Sequence, residues 1–264
     1  MSVSCARLAA CVLAAAFFAA CAQQRPVQPQ RPALLQTAST NALAGNYDQA
    51  VQTYTDFLGT NPKPELMAEG YVGRGNAYYK LAKYELAEQD FRAGLNAADD
   101  RTMKAQATAG MANSIFAEER FDAAEKLYRQ ILKSYQGLVQ QDEMTYRLAI
   151  SLARQTRWDE ARQLLEQVAG SWPSGDFAKS ARAKLASVND KFFTVQVGAF
   201  TNKAMADATV KELKSKGFTG AVEPIDIDGV PGYAVRSGHC PTWQAVTEQA
   251  DKLKAAGFST YKLP

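Results

Sequence analysis

The feature that most restricts this chain is a register that repeats every 37 residues. An aromatic residue followed three positions later by alanine occurs at Tyr47/Ala50, Tyr84/Ala87, Phe121/Ala124 and Trp158/Ala161. In the same register a small residue recurs at Ala38, Gly75, Ala112 and Ala149, and a large apolar one at Tyr54, Phe91, Tyr128 and Leu165. A period of this length marks an architecture in which each unit stacks on its neighbours because it cannot bury its apolar face alone. Within a unit the pattern fits two antiparallel helices. The small residue lets the first helix approach the second, the alanine does the same from the other side, and the aromatic fills the corner at the turn. Tyr54 and its equivalents then pack between units. Four units cover roughly residues 31–175, and the last needs a cap. Asp176 to Val188 supplies it, with Phe177, Ala181, Leu185 and Val188 on one helical stripe and Lys179, Arg182 and Lys184 facing outward.

This register resembles the tetratricopeptide repeat, whose unit is about 34 residues. The three extra residues per unit fall between units, around 63–66, 99–102 and 136–139. The resemblance implies an α-solenoid over residues 33–188 that binds a protein partner on the concave surface of its first helices. The groove candidates are Asn76, Tyr79, Lys80, Asn113, Phe116, Arg147 and Arg154. Asn76 and Asn113 occupy equivalent slots, where an asparagine of this family often holds a ligand backbone through its amide; solvated groove asparagines are the alternative. The basic residues favour an acidic partner segment.

From Lys191 the period changes. Phe193, Val195 and Val197 alternate with Thr194, Gln196 and Gly198, the mark of a half-buried strand. An amphipathic helix follows over 202–216, capped by Gly217, then a strand at about 220–227, a turn at Asp228-Gly229 and a strand over 232–237. A second helix over 242–256 is capped by Gly257, and 258–263 is a last strand. The order β-α-β-β-α-β gives a small ferredoxin-like sandwich, with two helices on one face of a four-stranded sheet and the other face open. The whole chain is thus a two-domain α+β protein. Val195 to Phe200 reads Val-Gln-Val-Gly-Ala-Phe, and the helices end Leu-Lys-Ser-Lys-Gly-Phe at 213–218 and Leu-Lys-Ala-Ala-Gly-Phe at 253–258. These motifs resemble the SPOR domain, over residues 191–264. The resemblance implies binding to peptidoglycan glycan strands stripped of their stem peptides. Gln196 matches the glutamine of the family's first strand, and its amide can both donate to and accept from sugar hydroxyls. Arg236 points to the same face, as does Thr194; Ala199 stands where some members have serine. Members often carry an arginine where this chain has Ala234. Tyr233 is the nearest aromatic for the platform, although alternation turns it inward, and Lys262 falls where an apolar groove residue is sometimes found.

The N-terminus reads as an export signal. Arg7 precedes an uncharged apolar run from Leu8 to Ala20, too short for a comfortable membrane span. Residues 1–20 followed by Cys21 resemble a bacterial lipoprotein signal, with Phe18 where leucine is usual, and imply acylation of Cys21. Ala22 rather than aspartate implies the periplasmic face of the outer membrane. Residues 21–32, rich in Pro and Gln, read as a semi-extended tether. Of the four cysteines, Cys5 and Cys11 leave with the signal, Cys21 is lipidated and Cys240 stands alone.

Other function classes find little support. The net charge of +3 comes from basic residues interleaved with acids, which does not read as a nucleic-acid surface. No CxxC pair or His/Cys cluster suggests a metal, and no cofactor motif stands out. The single histidine, His239, adjoins Cys240, and adjacent side chains rarely meet as nucleophile and base. The stretch Gly70 to Gly75 lies within a helix and follows no strand, so it is no phosphate loop. Acidic pairs such as Glu118/Glu119 sit on helix surfaces. A non-enzymatic envelope scaffold is therefore expected, joining glycan to a protein partner, at the division septum in the first reading. The alternative is a pilotin-like assembly lipoprotein of a pilus or secretion channel, with the C-terminal module as a wall tether.

Overall fold

The structure, a computed structural model, describes residues 31–227 and 229–263. The export signal, Cys21 and most of the tether lie outside the described residues. Eight helices pair as four hairpins: α1 (Ala33–Leu43) with α2 (Tyr47–Gly59), α3 (Pro64–Lys80) with α4 (Tyr84–Ala97), α5 (Arg101–Ala117) with α6 (Phe121–Ser134), and α7 (Gln141–Arg154) with α8 (Trp158–Ser171). Helix α9 (Asp176–Asn189) closes the stack. The repeating aromatic is in each case the first residue of the second helix. The small and alanine positions Ala38, Ala112, Ala149, Ala50, Ala87, Ala124 and Ala161 have no exposed surface, so the helix backbones approach closely there.

The hairpin turn repeats as faithfully as the side chains. The residue before the second helix's cap is left-handed in every unit: Gly45 (φ 80°), Ala82 (55°), Glu119 (60°) and Thr156 (62°). The following amide reaches back to close the helix: Asn46 N to Asn41 O, Lys83 N to Tyr78 O, Arg120 N to Ile115 O and Arg157 N to Leu152 O, at 2.9–3.2 Å. This is the Schellman closure, which favours glycine at the left-handed position. Only the first unit supplies one.

The C-terminal module follows as β1 (Phe193–Phe200), α10 (Lys203–Ser215), β2 (Ala221–Ile227), β3 (Val230–Cys240), α11 (Trp243–Ala255) and β4 (Tyr261–Leu263). The sheet order is β2-β3-β1-β4 with antiparallel neighbours, as expected of the β-α-β-β-α-β order. Both helices pack on one face, where Phe193, Val195, Val235, Leu213, Val246 and Leu253 form the core. The Leu-x-x-x-Gly-Phe ends are Schellman closures too. Gly217 and Gly257 are left-handed, and the amides of Phe218 and Phe258 donate to Leu213 O and Leu253 O at 2.9 and 3.0 Å. Each phenylalanine thereby folds back on the core beside its leucine. That closure shortens the last strand: Phe258, expected to begin it, belongs to the helix end.

Candidate functional site

The sheet face opposite the helices carries one row across all four strands: Ala221, Arg236, Gln196 and Tyr261 are successive register partners. Gln196 is half-buried and makes no side-chain hydrogen bond among the described residues. Arg236 pairs with Glu223, while its buried Nε has no partner among the described residues. Tyr261 is 61% exposed, enough to offer a stacking face. Thr194, on the same face, is buried and donates to Ser237 O at 3.2 Å. It lines a cleft of about 300 Å³ with Arg236, Glu223 and a stacked Phe192–His239 pair, whose ring centroids lie 3.7 Å apart. Sequence reasoning missed that stack, since neither residue carries a motif. Ala199 is exposed beside Ala234, and Ala234 is fully buried, so the slot where arginine is usual offers no polar atom.

Two expected platform residues lie elsewhere. Tyr233 shares the face of Val235 and packs against the core beneath the helices. Strand alternation decides this, and Tyr261 takes the platform instead. Lys262 is the register partner of Val195, so it too points to the helix side. Its Nζ donates to Glu119 Oε1 at 2.7 Å and to Thr247 Oγ1 at 3.2 Å.

Those bonds belong to a seam between the modules. At its centre is Trp243, the first residue of α11, which donates from Nε1 to Glu119 Oε2 at 2.9 Å. The Arg154 guanidinium lies 3.3 Å over the Trp243 ring, a cation on an aromatic face. Phe121 and Phe193 meet that ring edge-on at 5.8 and 5.7 Å, and Trp158 reaches Phe193 at 4.7 Å. The corner aromatics of the last two repeats thus pack across the seam, whereas Tyr84 packs on Tyr79 of its own unit. Burial alone would raise the Glu119 carboxyl, but bonds from Lys262 and Trp243 hold it below the usual range. Burial lowers the Arg154 guanidinium to about 9, partly offset by Glu119, Tyr261 and Tyr146, which leaves it charged at neutral pH. A cleft of about 400 Å³ opens beside Arg154, Trp243, Tyr261 and Lys262. Arg154, expected in an open groove, is therefore covered by the second module.

In the groove itself the two asparagines differ. Asn113 Oδ1 accepts from the Tyr128 hydroxyl at 2.8 Å, and Nδ2 donates to Glu143 at 3.4 Å. Its amide is already engaged. The residue equivalent to Tyr128 one unit earlier is Phe91, which has no hydroxyl, and Asn76 is exposed with no hydrogen bond among the described residues. Both asparagines border a concavity of about 420 Å³ with Gln106, Gln140 and Glu143. Lys80 is exposed and Tyr79 half-buried. Arg147 bonds Glu143 at 2.7 Å and lies 5.6 Å over Phe116, so its charge is matched within the groove.

Comparison with known proteins agrees with this division. The SPOR-domain family model matches residues 189–261, and a tetratricopeptide-repeat model matches 44–101 and 110–176. A search of curated proteins finds no match. One solved structure similar to the chain is titled "Crystal structure of YrrB: a TPR protein with an unusual peptide-binding site", at 16% identity and a TM-score of 0.48, covering 60% of this chain and 76% of that one. Both modules are of binding rather than catalytic kinds. The chain carries a tetratricopeptide-repeat region followed by a C-terminal SPOR domain.

Proposed function

We propose that this chain is a scaffold lipoprotein of the bacterial envelope, which holds peptide-free peptidoglycan strands on its SPOR sheet and a protein partner on its repeats. One observation carries the reading: the row Arg236, Gln196 and Tyr261 on the sheet face away from the helices. An amide that donates and accepts, a guanidinium with an unused Nε and an exposed ring together suit a sugar chain, with its hydroxyls, N-acetyl oxygens and apolar ring faces. The repeats offer Asn76 and Lys80 as open polar contacts for a partner segment. Acylation of Cys21 would anchor the protein to the periplasmic face of the outer membrane, and the 21–32 tether would let the solenoid stand off it. Affinity for peptide-free strands would concentrate the partner where wall is being cut, as at the septum.

Sedimentation of the full chain with amidase-treated sacculi tests this. The protein should pellet, Gln196→Ala should reduce pelleting, and Tyr233→Phe should leave it unchanged. Absence of pelleting by the unaltered chain refutes glycan binding.

A further inference from the structure

We infer that the cleft at the seam binds the free carboxyl terminus of the partner segment, with the Arg154 guanidinium taking the carboxylate and Phe116, Phe121 and Trp243 holding the last side chain. This deepens the partner-binding half of the function proposed above and rests on it.

The cleft of about 400 Å³ has a wall from each module: Phe116, Phe121 and Arg154 from the repeats, Trp243, Thr247 and Lys254 from α11. Arg154 is its unsatisfied member. The guanidinium lies on the Trp243 ring, makes no hydrogen bond among the described residues, and keeps its buried Nη1 without a partner. Glu119 lines the same cleft, but its two oxygens already accept from Trp243 and Lys262. A charge held largely out of water with none of its donors used is costly, and an anion placed on it offsets that cost. The guanidinium fork matches a carboxylate with two parallel bonds.

The rest of the lining says what carries the anion. Lys262 and Glu119 satisfy each other, which leaves Arg154 and Lys254 against the exposed Asp251. That balance suits a single negative charge. The buried Phe121 and Ala250 and the half-buried Phe116 make the remaining surface apolar, as a terminal hydrophobic side chain requires.

The cleft also continues the repeat groove. In the concavity that holds Asn76 and Asn113, Glu143 bonds Arg147, and Arg147 lies 5.6 Å over Phe116, which lines the cleft. At Arg154 the second module stands across the groove with Trp243, Thr247 and Lys262. A segment laid over the two asparagines meets that wall, which suits a chain that ends there rather than one that passes through.

NMR titration of the labelled full chain, read at the Trp243 indole, tests this with three probes. N-acetyl-L-phenylalanine has a terminal carboxylate, its amide has none, and N-acetyl-L-glutamic acid α-amide has one only on the side chain. The first should shift the indole and bind about tenfold more tightly than the amide, the order expected of a charge-assisted bond. The side-chain acid should also bind more weakly than the first. Arg154→Gln should abolish the difference between acid and amide. Because Arg154 packs on Trp243, the exposed Asp251→Asn is the second variant, and should tighten the acid about twofold with the amide unchanged. Equal binding of acid and amide, a difference that survives in Arg154→Gln, or no shift at Trp243 overturns the inference. Equal binding by the side-chain acid overturns it in favour of an internal acidic residue. Shifts confined to Asn76 and Asn113 overturn it and leave the partner groove standing. Pelleting with sacculi, which these probes do not touch, decides the glycan half separately.

Discussion

Replacing Trp243 by alanine should uncouple the two modules. The side chain is half-buried, and its contacts with Glu119, Arg154 and Phe121 cross the seam. Its hydrogen bond to the Glu119 carboxylate contributes about 1.5–3 kcal/mol. The Arg154 cation over its ring contributes about 2 kcal/mol where both are desolvated. The edge contact with Phe121 adds about 0.5–1.5 kcal/mol. These share atoms and do not simply add, so a coupling of about 4 kcal/mol is the working figure. Scanning calorimetry of the full chain reads it. The unaltered protein should unfold in one transition, because the C-terminal module melts with the repeats that hold it. Trp243→Ala should split the transition, with the C-terminal part melting well earlier, since 1 kcal/mol is worth about 4–8 °C in a domain of this size. Trp243 also touches the core of its own module, so Glu119→Gln is the companion variant. It keeps the backbone and loses the carboxylate that accepts from Trp243 and Lys262, and should give a smaller shift in the same direction. A single transition at the original temperature in both variants would refute the seam.

Two further outcomes follow from local geometry. Thr156→Gly should stabilise the repeats by about 1 kcal/mol in denaturant titration, because a β-branched residue sits at φ 62° where glycine is unstrained. Lys184→Met should be more stable than the unaltered chain at pH 7. The folded Lys184 is lowered to about 8 from 10.5, so the unfolded chain binds more protons between those values and stability rises with pH across that window. The advantage of the methionine variant should therefore shrink when unfolding is repeated near pH 10.

Most of the fold was legible because its causes are periodic. Tyr47, Tyr84, Phe121 and Trp158 announce the hairpins, and each does start a second helix. The two Leu-x-x-x-Gly-Phe ends announce helix closures for the same reason, since a left-handed glycine and a folded-back phenylalanine are local events. The face of Gln196 and Arg236 follows from strand alternation, as does the inward turn of Tyr233. What stayed hidden depends on long-range contact. Glu119 reads as a helix-surface acid, yet it accepts from Trp243 and Lys262, more than a hundred residues away. Lys184 reads as an outward-facing residue of the capping helix, and only the position of the sheet brings its Nζ to 6.0 Å from the Tyr261 ring. Asn76 and Asn113 look alike in sequence, and the difference between them is the hydroxyl of Tyr128.

The central claim is that the sheet face holds glycan, and the most direct measurement is NMR titration of the labelled full chain with soluble peptide-free glycan fragments. Shifts are expected at Gln196, Arg236 and Tyr261, with Asn76 and Lys80 unmoved. Shifts confined to the repeat groove, or none at saturating fragment, would contradict it.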